Sequence, residues 1–199
     1  MRRIKQNFYP EGYFEVIRIE NMSVEEIEEI TGKNVVVSGR VIAYIADDTS
    51  NYLKIDMGNG RIGIIYTEND EDIYKNKSLV NEVINFRIKT KNENNEYILE
   101  RNSLINKARN EILQNIKIGD IIKSKIVAFL GYGVFVDIGW GATALLYKTD
   151  IIGNPSHPKE VLKNTTFLDV EIKNISDDGN IYVKMIENGW ISTIFYFLF

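Results

Sequence analysis

With 199 residues, 44% of them hydrophobic, the chain can bury one core or two small ones, and its net charge of −4 argues against a protein that holds nucleic acid mainly through a basic field. The absence of cysteine excludes a disulfide framework and thiolate metal sites and is compatible with a reducing cytoplasm. The N-terminus is basic without a continuous apolar stretch, which predicts no secretory signal, and no apolar run reaches the roughly 18 residues that a membrane span needs.

Residues 1–32 read as an arm and a short helix. Aromatics (Phe8, Tyr9, Tyr13, Phe14) precede a short alternating run over residues 13–19, expected to add a strand or an ordered arm to the first barrel. Ser23-Val24-Glu25-Glu26 is a capping-box pattern, and Val24, Ile27 and Ile30 recur at helical spacing until Thr31-Gly32 stops the run. Residues 33–101 then read as five strands, at 34–44, 52–57, 61–66, 83–92 and 96–101, with acidic residues 68–72 in the longer connection. Short strands at regular intervals with few helices favour a small β barrel.

Residues 102–115 form a predicted linker helix, capped by Asn102 or Ser103, with Ile105, Ala108 and Ile112 as its apolar stripe. Residues 116–186 repeat the strand pattern at 121–129, 133–138, 142–147, 166–174 and 180–185, with Asp177-Asp178-Gly179-Asn180 as a hairpin turn. The two halves superpose as an internal repeat: Asp56, Gly58 and Tyr66 stand at the same mutual spacings as Asp137, Gly139 and Tyr147. The fold expected is therefore mainly all-β, with two tandem five-stranded antiparallel barrels joined by a short helix. Residues 187–199 make an apolar tail, too short to span a bilayer and expected to pack on a barrel or a partner chain.

The most informative stretch is 129–150, FLGYGVFVDIGWGATALLYKTD. Alternation along its first strand sets Val134, Val136 and Ile138 on one face and Phe135 on the other. Tyr132 at the loop tip and Tyr147 at the end of the second strand flank Phe135. Three rings on one patch of a small sheet suit base stacking, because every nucleobase has a π-face.

This stretch resembles the RNA-binding repeat of bacterial ribosomal protein S1, an OB-type barrel. Tyr132-Gly133-Val134-Phe135-Val136-Asp137 matches the first part of the family pattern, and Ala144-Leu145-Leu146-Tyr147-Lys148-Thr149 matches the second loosely, with Tyr147 where the family usually has His. The resemblance implies a single-stranded RNA surface made by Tyr132, Phe135 and Tyr147. An Asp and an Arg that the family often adds read here as Ser176 and Asn180. Both copies match, the first more degenerately, with Asn51 and Lys54 in the places of Tyr132 and Phe135.

Lys123, Lys125 and Lys148 lie near the rings in sequence and are candidate phosphate contacts; Arg40, Lys54, Arg61 and Tyr66 are their counterparts in the first repeat. Catalysis finds little support. His157 is the only histidine and sits in a proline-bounded loop with no cysteine or second histidine to complete a set. Clustered acids at 68–72 lack a phosphate-binding loop, and Gly131-Tyr132-Gly133 leads into a strand instead of a helix N-terminus. No catalytic residue, metal or cofactor is expected. The expected function is non-enzymatic binding of single-stranded RNA with low sequence preference, cytoplasmic and related to translation through mRNA or the ribosome. Two alternatives remain open: a protein-interaction adaptor using the barrels and the apolar tail, or an RNA-binding accessory subunit of a nuclease.

Overall fold

The protein is described by a computed structural model over residues 2–46, 50–67 and 73–191. In chain order its elements are β1 (Arg2–Arg3), α1 (Val24–Ile30), β2 (Val37–Ala46), β3 (Asn51–Asp56), β4 (Ile62–Thr67), α2 (Ile73–Ser78), β5 (Val83–Lys91) and β6 (Tyr97–Glu100). They continue as α3 (Asn102–Asn115), β7 (Asp120–Leu130), β8 (Gly133–Gly139), β9 (Ala142–Tyr147), α4 (Lys159–Leu162), β10 (Phe167–Ile175) and β11 (Ile181–Ile191). Two compact units result: Glu11–Ile105, and Met1–Pro10 together with Asn106–Phe199.

The first unit is a closed barrel in the order β2-β3-β4-β6-β5. Its strands are antiparallel except β4 and β6, which run parallel. A ring with an odd number of strands cannot alternate direction all the way round, so the all-antiparallel expectation fails at one closing pair. Alternation turns Leu53 and Ile55 of β3 and Ile84, Phe86 and Ile88 of β5 into the core. Register shifts after Val41 and after Ile88 bend the long strands so that the ring can close.

Ser23 caps α1 as its sequence predicts, with the Glu26 amide donating to Ser23 Oγ (3.2 Å) and the Ser23 amide donating to Glu26 Oε2 (2.7 Å). Ile27 is the helix residue that reaches the core, whereas Val24 is 43% exposed. A buried ion pair lies within this unit. Arg101 meets Glu11 through both guanidinium nitrogens, Nη2 to Oε2 at 2.8 Å, while Glu11 Oε1 accepts the Asn85 amide at 2.7 Å.

In the second unit β7-β10-β11-β9-β8 closes through β7 and β8, again with one parallel pair, β9 and β11. Residues 1–10 belong to this unit, β1 pairing in parallel with β7 at Asp120 and Ile121, whereas the run 13–19 joins the first barrel as expected, through the parallel bridge of Arg18 with Ser38 and the buried Ile19. Buried Gln6 continues the β1–β7 contact with its side chain, accepting the Lys123 amide (2.7 Å) and donating to the Ile138 carbonyl (2.9 Å). Phe8 is buried edge-on against the Trp140 ring, 4.8 Å between centroids.

Three further differences from expectation are local. The buried stripe of α3 uses Leu104 instead of Ile105, together with Ala108 and Ile112. A short helix, α2, occupies the connection between β4 and β5, although acidic residues 68–72 lie outside the described residues. Strand β11 continues past residue 186, with Trp190 and Ile191 opposite Leu168 and Phe167, so the beginning of the apolar tail is strand; residues 192–199 lie outside the described residues. Among the described residues no helix is long and apolar enough to cross a membrane.

Candidate nucleic-acid interface

The hairpin of β8 and β9 is built by a turn that its own sequence specifies. Asp137 Oδ1 accepts the amides of Gly139 (2.7 Å) and Gly141 (3.0 Å), and Trp140 between them takes a left-handed φ of 47°. The Trp140 amide donates to the Tyr9 carbonyl at 3.0 Å, which helps hold that conformation. Asp56 does the same in the first barrel, accepting the Gly58 amide at 2.8 Å. The repeated Asp-x-Gly spacing is therefore a repeated turn.

This turn sets the register that arranges the rings. Gly133 lies opposite Tyr147 and Phe135 opposite Leu145, while Val134, Val136 and Ile138 are fully buried on the inner face. Tyr132 is 52% exposed and Tyr147 38% exposed, with ring centroids 6.3 Å apart and planes tilted by 47°. The Lys148 amide donates to the Tyr132 carbonyl (3.0 Å), so the loop that carries the first ring is tied to the strand end that carries the second. A Cβ on Gly133 would lie 2.5 Å from the Leu146 carbonyl oxygen, so only glycine lets the two strands approach this closely. Phe135 lies on the same outer face and is half-buried.

Tyr182 was not among the residues that the sequence pointed to. It stands opposite Leu145 across the parallel pair β9 and β11, and its ring lies 5.8 Å from that of Tyr147 with planes 5° apart. Phe135, Leu145 and Tyr182 thus form one cross-strand row on the outer face, with Tyr147 and Tyr132 beside it. The sequence signal was alternation in β11, which puts Tyr182 opposite in facing to buried Ile181 and Val183; what it lacked was the strand that β11 neighbours.

The cations divide sharply. Lys123 sits opposite Asp169, and its Nζ is 2.7 Å from that buried carboxylate, which Arg3 also meets. Its charge is matched inside the fold, which weakens its candidacy as a phosphate contact. Lys125 lies opposite Asp137, two residues along β7 from Lys123. Lys148 stands directly after Tyr147, half-buried and with no carboxylate partner among the described residues. It is the candidate cation nearest the two rings along the chain.

In the first barrel Tyr66 is 50% exposed and stands opposite Tyr52, with centroids 6.1 Å apart. Lys54 is half-buried on the same strand as Tyr52. Arg40 lies opposite Asp56, roughly 13 Å along the strand from Tyr52, and donates from Nη1 to the Asn81 carbonyl at 2.6 Å. Arg61 sits in the β3–β4 turn, where its guanidinium donates to the carbonyls of Gly58 (2.9 Å), Met57 (3.1 Å) and Met22 (3.2 Å). It organises the turn, and the structure does not bring it or Arg40 beside Tyr66.

Elsewhere, His157 Nδ1 accepts the Lys159 amide at 3.1 Å within its loop, and the described residues contain no cluster of three metal-ligating side chains.

Two closed five-stranded barrels in tandem define the class of fold as OB-type. The chain is 31% identical over 93 residues to small ribosomal subunit protein bS1 of Staphylococcus haemolyticus, a match covering 44% of this chain and 23% of that protein. It is 20% identical over 177 residues to polyribonucleotide nucleotidyltransferase of Thermotoga petrophila and of Thermotoga maritima, covering 89% of this chain and 20% of each relative. The chain thus spans about a fifth to a quarter of the length of the curated relatives it matches. Among solved structures, a multidomain protein with nucleic acid binding domains from Streptococcus pneumoniae matches over 77% of this chain and 46% of that one, at 10% identity and a TM-score of 0.26. No family profile matches the chain.

Proposed function

We propose that this protein binds single-stranded RNA with low sequence preference on the outer face of its C-terminal barrel, without catalysing a reaction on it. The observation that carries this reading is the pair Tyr132 and Tyr147, two exposed rings 6.3 Å apart on adjoining elements, beside half-buried Phe135. Exposed aromatic rings at a sheet surface provide π-faces to unpaired bases, and stacking is indifferent to base identity. Tyr182 packs behind Tyr147 and holds its ring in place. Lys148 supplies a cation for phosphate, and the small number of such cations fits the net charge of −4. The similarity to a ribosomal protein supports a cytoplasmic role in translation, with mRNA or a ribosome-associated RNA as partner.

Titration of labelled single-stranded RNA at low and at moderate salt tests this. Wild-type protein is expected to bind with a shallow salt dependence, and Tyr132→Ala plus Tyr147→Ala to weaken binding at both salt concentrations. Equal affinity in wild type and double variant would reject the site. A second reading is favoured by the alignment of 89% of the chain with polyribonucleotide nucleotidyltransferases: the barrels would lend RNA affinity to a separate catalytic chain. Co-sedimentation with ribosomes, compared with co-purification of a nuclease activity, separates the two.

A further inference from the structure

We infer that the C-terminal unit holds a small-molecule site between its N-terminal arm and α3, shaped for an organic monoanion with an apolar body, of the class of medium-chain carboxylates. The site shares no residue with the ring face of Tyr132 and Tyr147 and stands independently of the stacking reading.

Residues 2–8 alternate in burial: Gln6 and Phe8 are buried and Ile4 half-buried, while Arg3, Lys5 and Asn7 are exposed. Along α3, Glu111 and Asn115 lie one turn apart, and so do Ile112 and Ile116, the Ile116 amide donating to the Ile112 carbonyl at 3.0 Å. Between arm and helix these two patterns enclose a pocket of about 450 Å³, inside the range of roughly 300–1,000 Å³ that small-molecule sites occupy. Its lining divides by chemistry. Ile4, Phe8, Ile112, Ile116, Ile122 and Ile138 make an apolar floor, of which Ile122 and Ile138 are core residues of the barrel, 2% and 0% exposed. The polar part is the mouth, where Arg2, Arg3 and Lys5 of the arm face Glu111 and Asn115 of the helix.

Charge at the mouth selects the ligand's sign. Arg2 is matched by Asp120 at 2.8 Å, whereas Arg3 and Lys123 share a single carboxylate, that of Asp169. Lys5 has no carboxylate partner among the described residues. Glu111, the carboxylate in the lining, already accepts from Asn7 Nδ2. Four cations (Arg2, Arg3, Lys5 and Lys123) therefore face three carboxylates (Asp120, Asp169 and Glu111), a local surplus of one positive charge in a chain of net charge −4. One negative charge on the ligand balances that surplus, and a second would go unmatched. Helix α3 ends at Asn115, where the partial negative charge of its last carbonyls repels an anion. The head therefore belongs beside Lys5 and Arg3, with the apolar body on the isoleucines beneath α3. The competing account is a water-filled crevice left where the arm passes the helix.

Calorimetric titration of the full chain with octanoate tests the site, with octylammonium as the control that keeps the apolar body and reverses the charge. Wild type is expected to take one equivalent of octanoate and to bind it about tenfold more tightly than octylammonium. Lys5→Gln, an exposed change that leaves the floor intact, is expected to weaken octanoate by about fivefold. Asn115→Trp sets a ring over the mouth from the exposed end of α3 and is expected to abolish binding. No binding of octanoate by wild type at millimolar concentration would overturn the proposal in favour of the hydrated crevice. Equal affinity for octylammonium would overturn the assignment of an anion. Octanoate binding unaltered in Lys5→Gln, or unaltered in Asn115→Trp, would put the ligand elsewhere on the surface and overturn the site as well.

Discussion

Tyr147 and Tyr182 lie on neighbouring parallel strands with their ring planes 5° apart and centroids 5.8 Å apart. That spacing leaves no room for a base between them, so Tyr182 acts on a bound strand through the position of Tyr147. Stacked aromatic pairs contribute about 0.5 to 1.5 kcal/mol beyond the area they bury. Tyr182→Ala is therefore expected to weaken RNA binding less than Tyr147→Ala does. In a double-mutant cycle the two losses should be non-additive, the double variant resembling Tyr147→Ala alone. Anisotropy titrations of the four proteins provide the cycle, and full additivity would show that the rings act independently.

The capping box at Ser23 was legible because it joins a short polar side chain to a backbone amide three residues on, and the repeated Asp-x-Gly spacing was legible although the bonds from Asp137 that explain it were not. The inward set Val134, Val136 and Ile138 followed from alternation alone. Tyr182 was not legible, because its partnership with Tyr147 depends on β11 lying beside β9, a closure between strands 35 residues apart by position. The same holds for Lys123, whose pairing with Asp169 is set by the β7–β10 register, and for Arg61, whose bonds to Gly58, Met57 and Met22 arise only once the turn has formed. Residues 1–32 read as one arm and helix, yet β1 pairs with a strand more than a hundred positions away.

Gln6 shows what that N-terminal segment does. Its amide bridges the Lys123 amide and the Ile138 carbonyl, with longer bonds to the carbonyls of Phe8 and Lys123 at 3.3 Å, and it is 7% exposed. Gln6→Ala strips partners from buried backbone groups, at about 1 to 3 kcal/mol for each group left unmet. The urea midpoint of the C-terminal barrel is expected to fall by an amount corresponding to about 2 to 3 kcal/mol. A change under 0.5 kcal/mol would mean that water replaces the amide without loss.

Asp120 gives the same barrel a pH dependence. Hydrogen bonding from Arg2 holds its carboxyl below the usual carboxylate range, against the opposing effect of burial; the Lys117 amide adds a bond at 2.8 Å. Because the folded state depresses this pKa, the associated stability is fully present above the unfolded value near 3.9 and is lost as pH falls through the lower folded value. Denaturant midpoints are expected to stay level above about pH 5 and to decline from about pH 4 downward. Arg2→Met should reduce that acid decline, and an identical pH profile in the variant would show that Arg2 is not its source.

The Glu11–Arg101 pair predicts an asymmetry in the N-terminal barrel. Both side chains are nearly sealed, 5% and 7% exposed, and Arg101 also donates to the Asn85 carbonyl at 3.0 Å while Glu11 accepts the Asn85 amide. Removing one partner strands a buried charge, which costs about 3 to 5 kcal/mol, whereas replacing both with apolar residues of similar volume can be nearly neutral. Arg101→Met and Glu11→Leu are each expected to lower the unfolding midpoint of this barrel strongly. The combined variant should recover part of the loss, though less than a simple ion pair would, because the Asn85 amide and carbonyl then lose their partners. Circular dichroism melts of the three variants separate these outcomes. A combined variant that loses as much as the sum of the two single ones would show that Asn85, and not the opposite charge, is what each side chain chiefly serves.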